Sequence, residues 1–119
     1  MITQLKENEV FVFGSNLLGA HLGGGAKQAM EEFGAQNGVG EGMTGKCYAF
    51  PTLDHQLQKR STEELKESRD KFYMTCRHYS ALTFQLTAVG TGIAGYSIRE
   101  MKQLFKNAPK NVVLPKEFI

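Results

Sequence analysis

The sequence predicts one α/β domain over residues 1–119, a three-layer α/β/α sandwich with a largely parallel, mixed sheet. Three observations support this prediction. The length suits a single core, short β-branched and aromatic runs alternate with longer segments of helical periodicity, and glycine-rich stretches separate the two kinds of segment. The resulting order β-α-β-α-β-α-β is typical of a mostly parallel sheet that is covered by helices.

Four segments are predicted as strands. Residues 9–13 form a β-branched, aromatic run that stops at Gly14. Residues 46–52 are expected to end at Pro51, because proline cannot donate a hydrogen bond to a neighbouring strand. Residues 82–90 and 111–115 have the same character and complete the sheet.

Three segments are predicted as helices, and residues 34–45 between the first helix and the next strand are predicted as a glycine-rich loop without periodicity. The first helix starts at Gly25 and stops at Gly34. Capping boxes begin the other two, at residues 61–64 and 97–100. The predicted core positions of these two helices are Leu65, Phe72, Cys76 and Tyr79, followed by Ile98, Met101, Leu104 and Phe105.

Composition excludes several classes of protein. The net charge of +2 is too small to indicate nucleic-acid binding by itself, and no segment is apolar enough to span a membrane. The polar N-terminal residues do not resemble a signal peptide, so a cytoplasmic location is expected. Cys47 and Cys76 have no zinc or CxxC spacing, and we interpret both as structural thiols. Neither a metal nor a cofactor is predicted, and the oligomeric state is left open.

Glycine is the unusual feature of the composition, and all 13 glycines lie between Gly14 and Gly95. Two of the glycine-rich segments connect a predicted strand to a predicted helix: residues 14–25, GSNLLGAHLGGG, and residues 90–97, GTGIAGYS. Helix N-termini present unpaired N–H groups that suit a phosphate, and glycines allow close backbone approach. Because ligands bind at the carboxyl ends of parallel strands, two such loops predict an anion or nucleotide site.

A simpler interpretation is that these glycines only make tight turns. The pattern is neither a P-loop, since no Gly-Lys-Ser/Thr follows, nor GxGxxG, since Gly23, Gly24 and Gly25 are contiguous. Two glycine loops in equivalent positions nevertheless favour a ligand site over turns alone.

The segments FVFGSNLLGAHLGGGAKQAM and AVGTGIAGYSIREMKQLF resemble the two ligand loops of the macro domain, in the same order and over about a third of the chain. The whole chain also resembles a set of small uncharacterised bacterial and phage-associated proteins that share these loops. The resemblance implies a macro-like fold that binds ADP-ribose or a related small-molecule nucleotide, and in some members hydrolysis of an ADP-ribosyl linkage.

Roles follow from the resemblance residue by residue. Asn16 matches the asparagine beside the distal ribose, residues 23–25 the phosphate-side loop, residues 91–95 the loop that wraps the diphosphate, and Tyr96 the residue that packs on the distal ribose. The ligand-binding residues expected are Gly14, Ser15, Asn16, Gly23, Gly24, Gly25, Ala26, Gly90, Thr91, Gly92, Ile93, Ala94, Gly95 and Tyr96.

The expected catalytic residues are Asn16, His21 and Asp54. An Asp54 pair with His21 or His55 would activate water beside the ribose, since histidine serves as a general base near neutral pH. Glu41 is a further candidate base, and Lys27 a candidate phosphate contact.

The chain departs from the family where hydrolytic members have an aspartate after the glycine run, because Ala26 and Lys27 stand there. The acidic residue that reads the adenine amine also has no clear counterpart. Three functions therefore stay open: a hydrolase, a non-enzymatic module that binds or sequesters a nucleotide, and a Rossmann-like phosphate-binding domain unrelated to ADP-ribose.

Overall fold

The computed structural model describes residues 2–119, which form five strands, three α-helices and a final 3₁₀ helix. The strands are β1 (Glu9–Asn16), β2 (Gly42–Thr44), β3 (Cys47–Leu53), β4 (Thr83–Leu86) and β5 (Val112–Val113). The helices are α1 (Gly24–Phe33), α2 (Thr62–His78) and α3 (Ile98–Leu104), and the 3₁₀ helix spans Lys116–Phe118.

The strands form one mixed sheet in the order β2-β3-β1-β4-β5. Strand β1 lies at its centre and pairs in parallel with β3 and with β4, and β5 continues the parallel set. Only β2 runs antiparallel, against the first part of β3. The predicted largely parallel, mixed sheet is confirmed.

Helices cover both faces of the sheet. Successive side chains of β1 point to opposite faces and enter the two cores that the helices form with the sheet. Phe11 and Phe13 pack with the small residues of α1 on one face, whereas Val10 and Val12 pack on the other face with residues of α2 and α3. Phe72 of α2 is fully buried in this second core. Its ring contacts aromatic rings of β3, β4 and the end of α3. The three-layer prediction is therefore confirmed.

Two strand boundaries differ from prediction. Strand β1 continues through Gly14 to Asn16 because β3 supplies a partner as far as Leu53. Pro51 lies inside β3 rather than ending it. Strand β2 pairs only with residues 47–49, so the missing N–H of Pro51 removes no bond on that edge. Residues 42–44 form the short strand β2 inside the segment predicted as an unstructured loop.

The third and fourth predicted strands are shorter than predicted, since β4 ends at Leu86 and β5 spans only Val112–Val113. The capping boxes are confirmed. The hydroxyls of Ser61 and Ser97 each accept the backbone N–H of the glutamate three residues later, and their own backbone N–H groups donate to the carboxylate of that glutamate. Tyr79 and Ile98 were wrongly predicted as core, because both lie at helix ends and are half-exposed. The other predicted core positions of α2 and α3 are buried.

Candidate functional site

The two glycine loops start from neighbouring strands, β1 and β4, whose onward connections diverge. The chain leaves β1 through α1 to β3 on one side, and leaves β4 through α3 to β5 on the other side. Helices α1 and α3 also lie on opposite faces of the sheet. In open α/β sheets, diverging connections of this kind mark the place outside the carboxyl ends of the strands where ligands bind.

The first and second loops approach each other closely at this edge of the sheet. Thr87 continues β4 by donating from its N–H and its hydroxyl to the carbonyl of Val12. A Cβ on Gly14 would lie 3.6 Å from Val89 Cβ and 3.7 Å from the amide nitrogen of Gly90. The predicted ligand residues Gly14 and Gly90 are therefore adjacent.

Asn16 ends β1, and its amide group closes the turn that follows. Its Nδ2 donates to the carbonyl of Ala20 at 2.9 Å, and its Oδ1 accepts the N–H of Ala20 at 3.1 Å. The preceding Ser15 is buried, and its hydroxyl donates to the carbonyl of Gly40. The side chains of both predicted ligand residues therefore shape the first loop through backbone contacts.

His21 lies inside the first loop and is only 1% exposed. Its Nε2 is 3.0 Å from the carbonyl of Gln36, and since a carbonyl only accepts, Nε2 carries the proton. The ring packs edge-on against Phe13, and Nδ1 has no partner within residues 2–119. The imidazole therefore anchors the loop to residue 36.

We call residues 23–25 the triglycine turn, and it is exposed at the start of α1. Gly23 has an extended backbone and gives no side-chain cap, and no acidic residue lies in the first turn of α1. Gly24 has a φ of +58°, which favours glycine. A Cβ on Gly23 or Gly24 would meet nothing within 4 Å. The first intrahelical bond is donated by Lys27, so the amides of residues 24–26 lie before it.

We call residues 90–96 the second glycine loop, and its backbone folds back on itself. The N–H of Tyr96 donates to Gly90 and that of Gly95 to Gly92. A Cβ on Gly90 would lie 2.9 Å from Met101 Cε, and the φ of Gly90 is +79°. The hydroxyl of Thr91 donates to the carbonyl of Ala88 at 2.7 Å. The positive φ therefore favours glycine at position 90, and an added Cβ would also displace the end of the Met101 side chain.

Tyr96 lies beneath the second glycine loop and is only 5% exposed. Its hydroxyl donates to the carbonyl of Arg60, and Lys59 Nζ lies 4.1 Å from the ring centroid. Burial raises the pKa of Tyr96, which keeps its hydroxyl protonated as a donor. The contact with a ribose, implied by the resemblance, stays a prediction, and this hydroxyl is already engaged.

Arg60 links the second glycine loop to the sheet and was not identified in the sequence. Its guanidinium is buried and donates to the carbonyl of Pro51 and to the Ser68 hydroxyl, both at 2.8 Å. Ser68 lies on the buried face of α2, between Leu65 and Phe72. A serine on an apolar stripe requires a hydrogen-bond partner, and that signal could have drawn attention to Arg60.

Asp54 follows β3, next to the end of β1, since Asn16 is paired with Leu53. Its Oδ1 accepts the N–H groups of Gln56 and Gln58 at 2.8 and 2.9 Å, so the carboxylate closes its own turn. His55 is exposed in that turn. The structure thus brings Asp54 to the same edge as Asn16, with its Oδ1 already bonded to the backbone.

The other candidate side chains have structural environments. Burial raises the pKa of the Cys47 and Cys76 thiols to about 12, so neither resembles an activated nucleophile. Glu41 Oε1 is 3.8 Å from Lys71 Nζ on α2. Within residues 2–119, no group of three or more metal-ligating side chains could hold a metal ion.

The third glycine-rich segment, residues 34–45, supports the first loop. A Cβ on Gly40 would lie 2.4 Å from the carbonyl oxygen of Asn16, and one on Gly19 would lie 2.4 Å from the carbonyl carbon of Gly38. Gly38 also donates its N–H to Gly19. These glycines allow two backbones to pack directly against each other.

Large apolar side chains project from the loops at this edge of the sheet. Leu22 is 84% exposed beside the triglycine turn, and Ile93 is 96% exposed in the second glycine loop. Leu18 and Leu57, in the turns after β1 and β3, are also exposed.

No family model, curated protein or solved structure matches this chain. Within residues 2–119, none of the helices has both the length and the apolar composition needed to cross a bilayer.

Proposed function

We propose that this chain binds ADP-ribose or a related nucleotide, with the diphosphate and ribose held between the triglycine turn and the second glycine loop. One observation carries the proposal. Gly14 and Gly90 are adjacent where the connections from β1 and β4 diverge, and this is where α/β sheets form ligand crevices. The resemblance of both loops to the macro domain supplies the identity of the ligand.

The triglycine turn supports the phosphate side of this proposal. Its glycines leave the N–H groups at the start of α1 approachable, and α1 has neither a side-chain cap nor an acidic residue in its first turn. A phosphate there would receive charge-assisted hydrogen bonds of about 1.5–3 kcal/mol each and the favourable end of the helix dipole. Lys27, exposed in the first turn, would add a positive charge.

Binding is better supported than hydrolysis. The amide of Asn16 and the Oδ1 of Asp54 are bonded to their own turns, and His21 is buried against residue 36. A general base must reach the water that it activates, and these contacts would first have to open. We therefore propose a nucleotide-binding module. A reducing cytoplasm suits it, because both cysteines are unpaired.

Calorimetry with ADP-ribose, NAD, AMP and inorganic phosphate tests this proposal. We expect saturable binding of ADP-ribose that is tighter than binding of AMP or phosphate, because only ADP-ribose would reach both loops. Binding of AMP or phosphate alone would favour the Rossmann-like alternative. No binding of any of the four would overturn the nucleotide proposal.

Hydrolysis is tested separately, with an ADP-ribosylated peptide and ADP-ribose-1″-phosphate as substrates. A non-enzymatic module gives binding without turnover. Turnover that is lost in Asn16→Ala, His21→Ala or Asp54→Ala would instead assign hydrolase activity to the first loop. Turnover that persists in all three variants would contradict the catalytic roles expected for these residues.

A further inference from the structure

A polar groove of about 380 Å³ lies between α2 and the end of α3, away from both glycine loops. Three cationic side chains line it, Arg69, Arg77 and Lys106, together with the single carboxylate of Asp70. The buried ring of Tyr73 lies between the two arginines. This arrangement has no role in the proposed nucleotide site.

The spacing of residues along α2 builds one wall of the groove. Arg69, Tyr73 and Arg77 are four residues apart and therefore share one face of the helix. The Cζ atoms of the two arginines lie 6.0 and 5.8 Å from the Tyr73 ring centroid. The two guanidinium carbons are therefore at most about 12 Å apart, which is close to the rise along two helical turns.

Hydrogen bonds to the end of α3 hold the other wall in place. Arg69 Nη1 donates to the carbonyl of Leu104 at 3.1 Å, and the Tyr73 hydroxyl donates to the carbonyl of Lys106 at 2.9 Å. These bonds fix the Arg69 guanidinium and the Tyr73 hydroxyl against the end of α3. The groove therefore presents cationic side chains on a fixed backbone.

Two of the three positive charges of the groove, those of Arg77 and Lys106, have no counter-ion within residues 2–119. Asp70 is already bound by Arg69, through Nε at 3.1 Å and Nη2 at 3.0 Å. Arg77 and Lys106 are exposed, and across residues 2–119 neither has a carboxylate within 4.0 Å. Burial raises the pKa of Tyr73 to about 12, so its hydroxyl adds no negative charge.

We propose that this groove binds a diphosphate group, free or esterified to a small molecule. Guanidinium groups bind phosphate oxygens through charge-assisted hydrogen bonds. Arg77 and Lys106 supply the two unneutralised charges, and Arg69 supplies the N–H groups that Asp70 and Leu104 leave unused. Tyr73 is too buried to stack on a base, which favours a small phosphorylated ligand over a single-stranded nucleic acid.

Inorganic pyrophosphate is the probe, and the side-chain Nε–H signals of Arg69 and Arg77 in NMR spectra are the readout. We expect both signals to shift saturably in the unmodified chain. In the double variant Arg77→Gln, Lys106→Gln, the pyrophosphate affinity obtained from the Arg69 signal should fall about tenfold or more. The matched control Lys6→Gln, Lys71→Gln removes two exposed charges outside the groove and should change affinity less than about twofold.

Signals that do not move, or equal losses of affinity in the two double variants, would overturn the proposal. Saturable binding of an oligonucleotide without binding of pyrophosphate would overturn it as well. Because the readout is local to α2, pyrophosphate bound at the triglycine turn cannot produce the expected result. Failure of the nucleotide proposal would leave this result unchanged.

Discussion

The triglycine turn and the second glycine loop both connect a parallel strand to a helix, yet their glycines have different surroundings. Gly23 and Gly24 have no atom within 4 Å of a potential Cβ, whereas one on Gly90 would meet Met101 at 2.9 Å. Open glycines are available to a ligand, and packed glycines are required by the fold. Gly90 is therefore held by the fold, whereas Gly92 in the same loop has no atom within 4 Å of a potential Cβ and is as open as Gly23 and Gly24.

The helices that follow the two loops differ in the same way. Helix α3 is closed by Ser97 and Glu100, which occupy its first N–H groups and place a carboxylate there. Helix α1 has no such cap. An anion would therefore meet free N–H groups at α1 and a negative charge at α3, which assigns the phosphate side of the proposed site to the triglycine turn.

Replacing Gly90 and Gly23 by alanine should give the largest difference in the free energy of unfolding. Gly90→Ala places a side chain at a positive φ and makes Met101 Cε move, and we expect it to lower the free energy of unfolding by about 2 kcal/mol. Gly23→Ala has extended backbone and open space, and should cost about 1 kcal/mol or less. Urea unfolding measures both, and equal losses would contradict the contrast.

A charge placed in the triglycine turn should separate binding from stability. Aspartate and asparagine both cap helices well, so Gly23→Asp and Gly23→Asn should each leave α1 at least as stable as before. Only the aspartate repels a phosphate, and we expect it to weaken ADP-ribose binding about tenfold relative to the asparagine variant. Calorimetry measures the difference, and equal affinities would argue against a phosphate at this turn.

Removing the Tyr96 hydroxyl should have a smaller effect, on stability. Tyr96→Phe leaves the carbonyl of Arg60 without its donor, and we expect a loss of about 1 kcal/mol in urea unfolding. Tyr79→Phe, at the exposed end of α2, is the matched control and should be nearly neutral. A large loss of ADP-ribose affinity in Tyr96→Phe would instead indicate that this hydroxyl reaches the ligand.

The cap of α3 should give the smallest effect, visible in acid. The Ser97 backbone N–H donates to the Glu100 carboxylate and lowers the pKa of Glu100 below its ordinary 4.5. A carboxyl with a lowered pKa stabilises the fold above its ordinary value, and that contribution is lost as pH falls through the folded-state pKa. The urea midpoint should therefore fall less on acidification in Glu100→Gln than in the unmodified chain, whereas Glu67→Gln on α2 should leave that pH dependence unchanged.

Much of the fold was predictable because local chemistry decides it. The capping boxes at Ser61 and Ser97 mark helix starts in both sequence and structure. Strand β2 was missed because three residues within a glycine-rich segment have no period, and only the partner strand β3 makes them a strand. The ends of β1 and β3 were misplaced for the same reason, since each strand continues as far as its neighbour does.

The candidate site was predicted less completely, because its surroundings come from distant parts of the chain. The sequence indicated two glycine loops, but the packing of Gly19 on Gly38 and of Gly90 on Met101 depends on tertiary contacts. Arg60 was missed because its partners, Ser68 and the Pro51 carbonyl, meet only in the folded chain. Long-range contacts therefore decide which glycines are open.

Titration of the ¹⁵N-labelled chain with ADP-ribose, followed by amide signals, tests most directly whether the two loops form one site. We expect the amides of residues 23–26 and of residues 90–95 to shift together with a single dissociation constant. The amides around Arg77 report any binding of the same diphosphate in the groove, so that binding there is measured separately from binding at the two loops. Shifts confined to one loop, different dissociation constants for the two loops, or no saturable shift in either would contradict the proposed site.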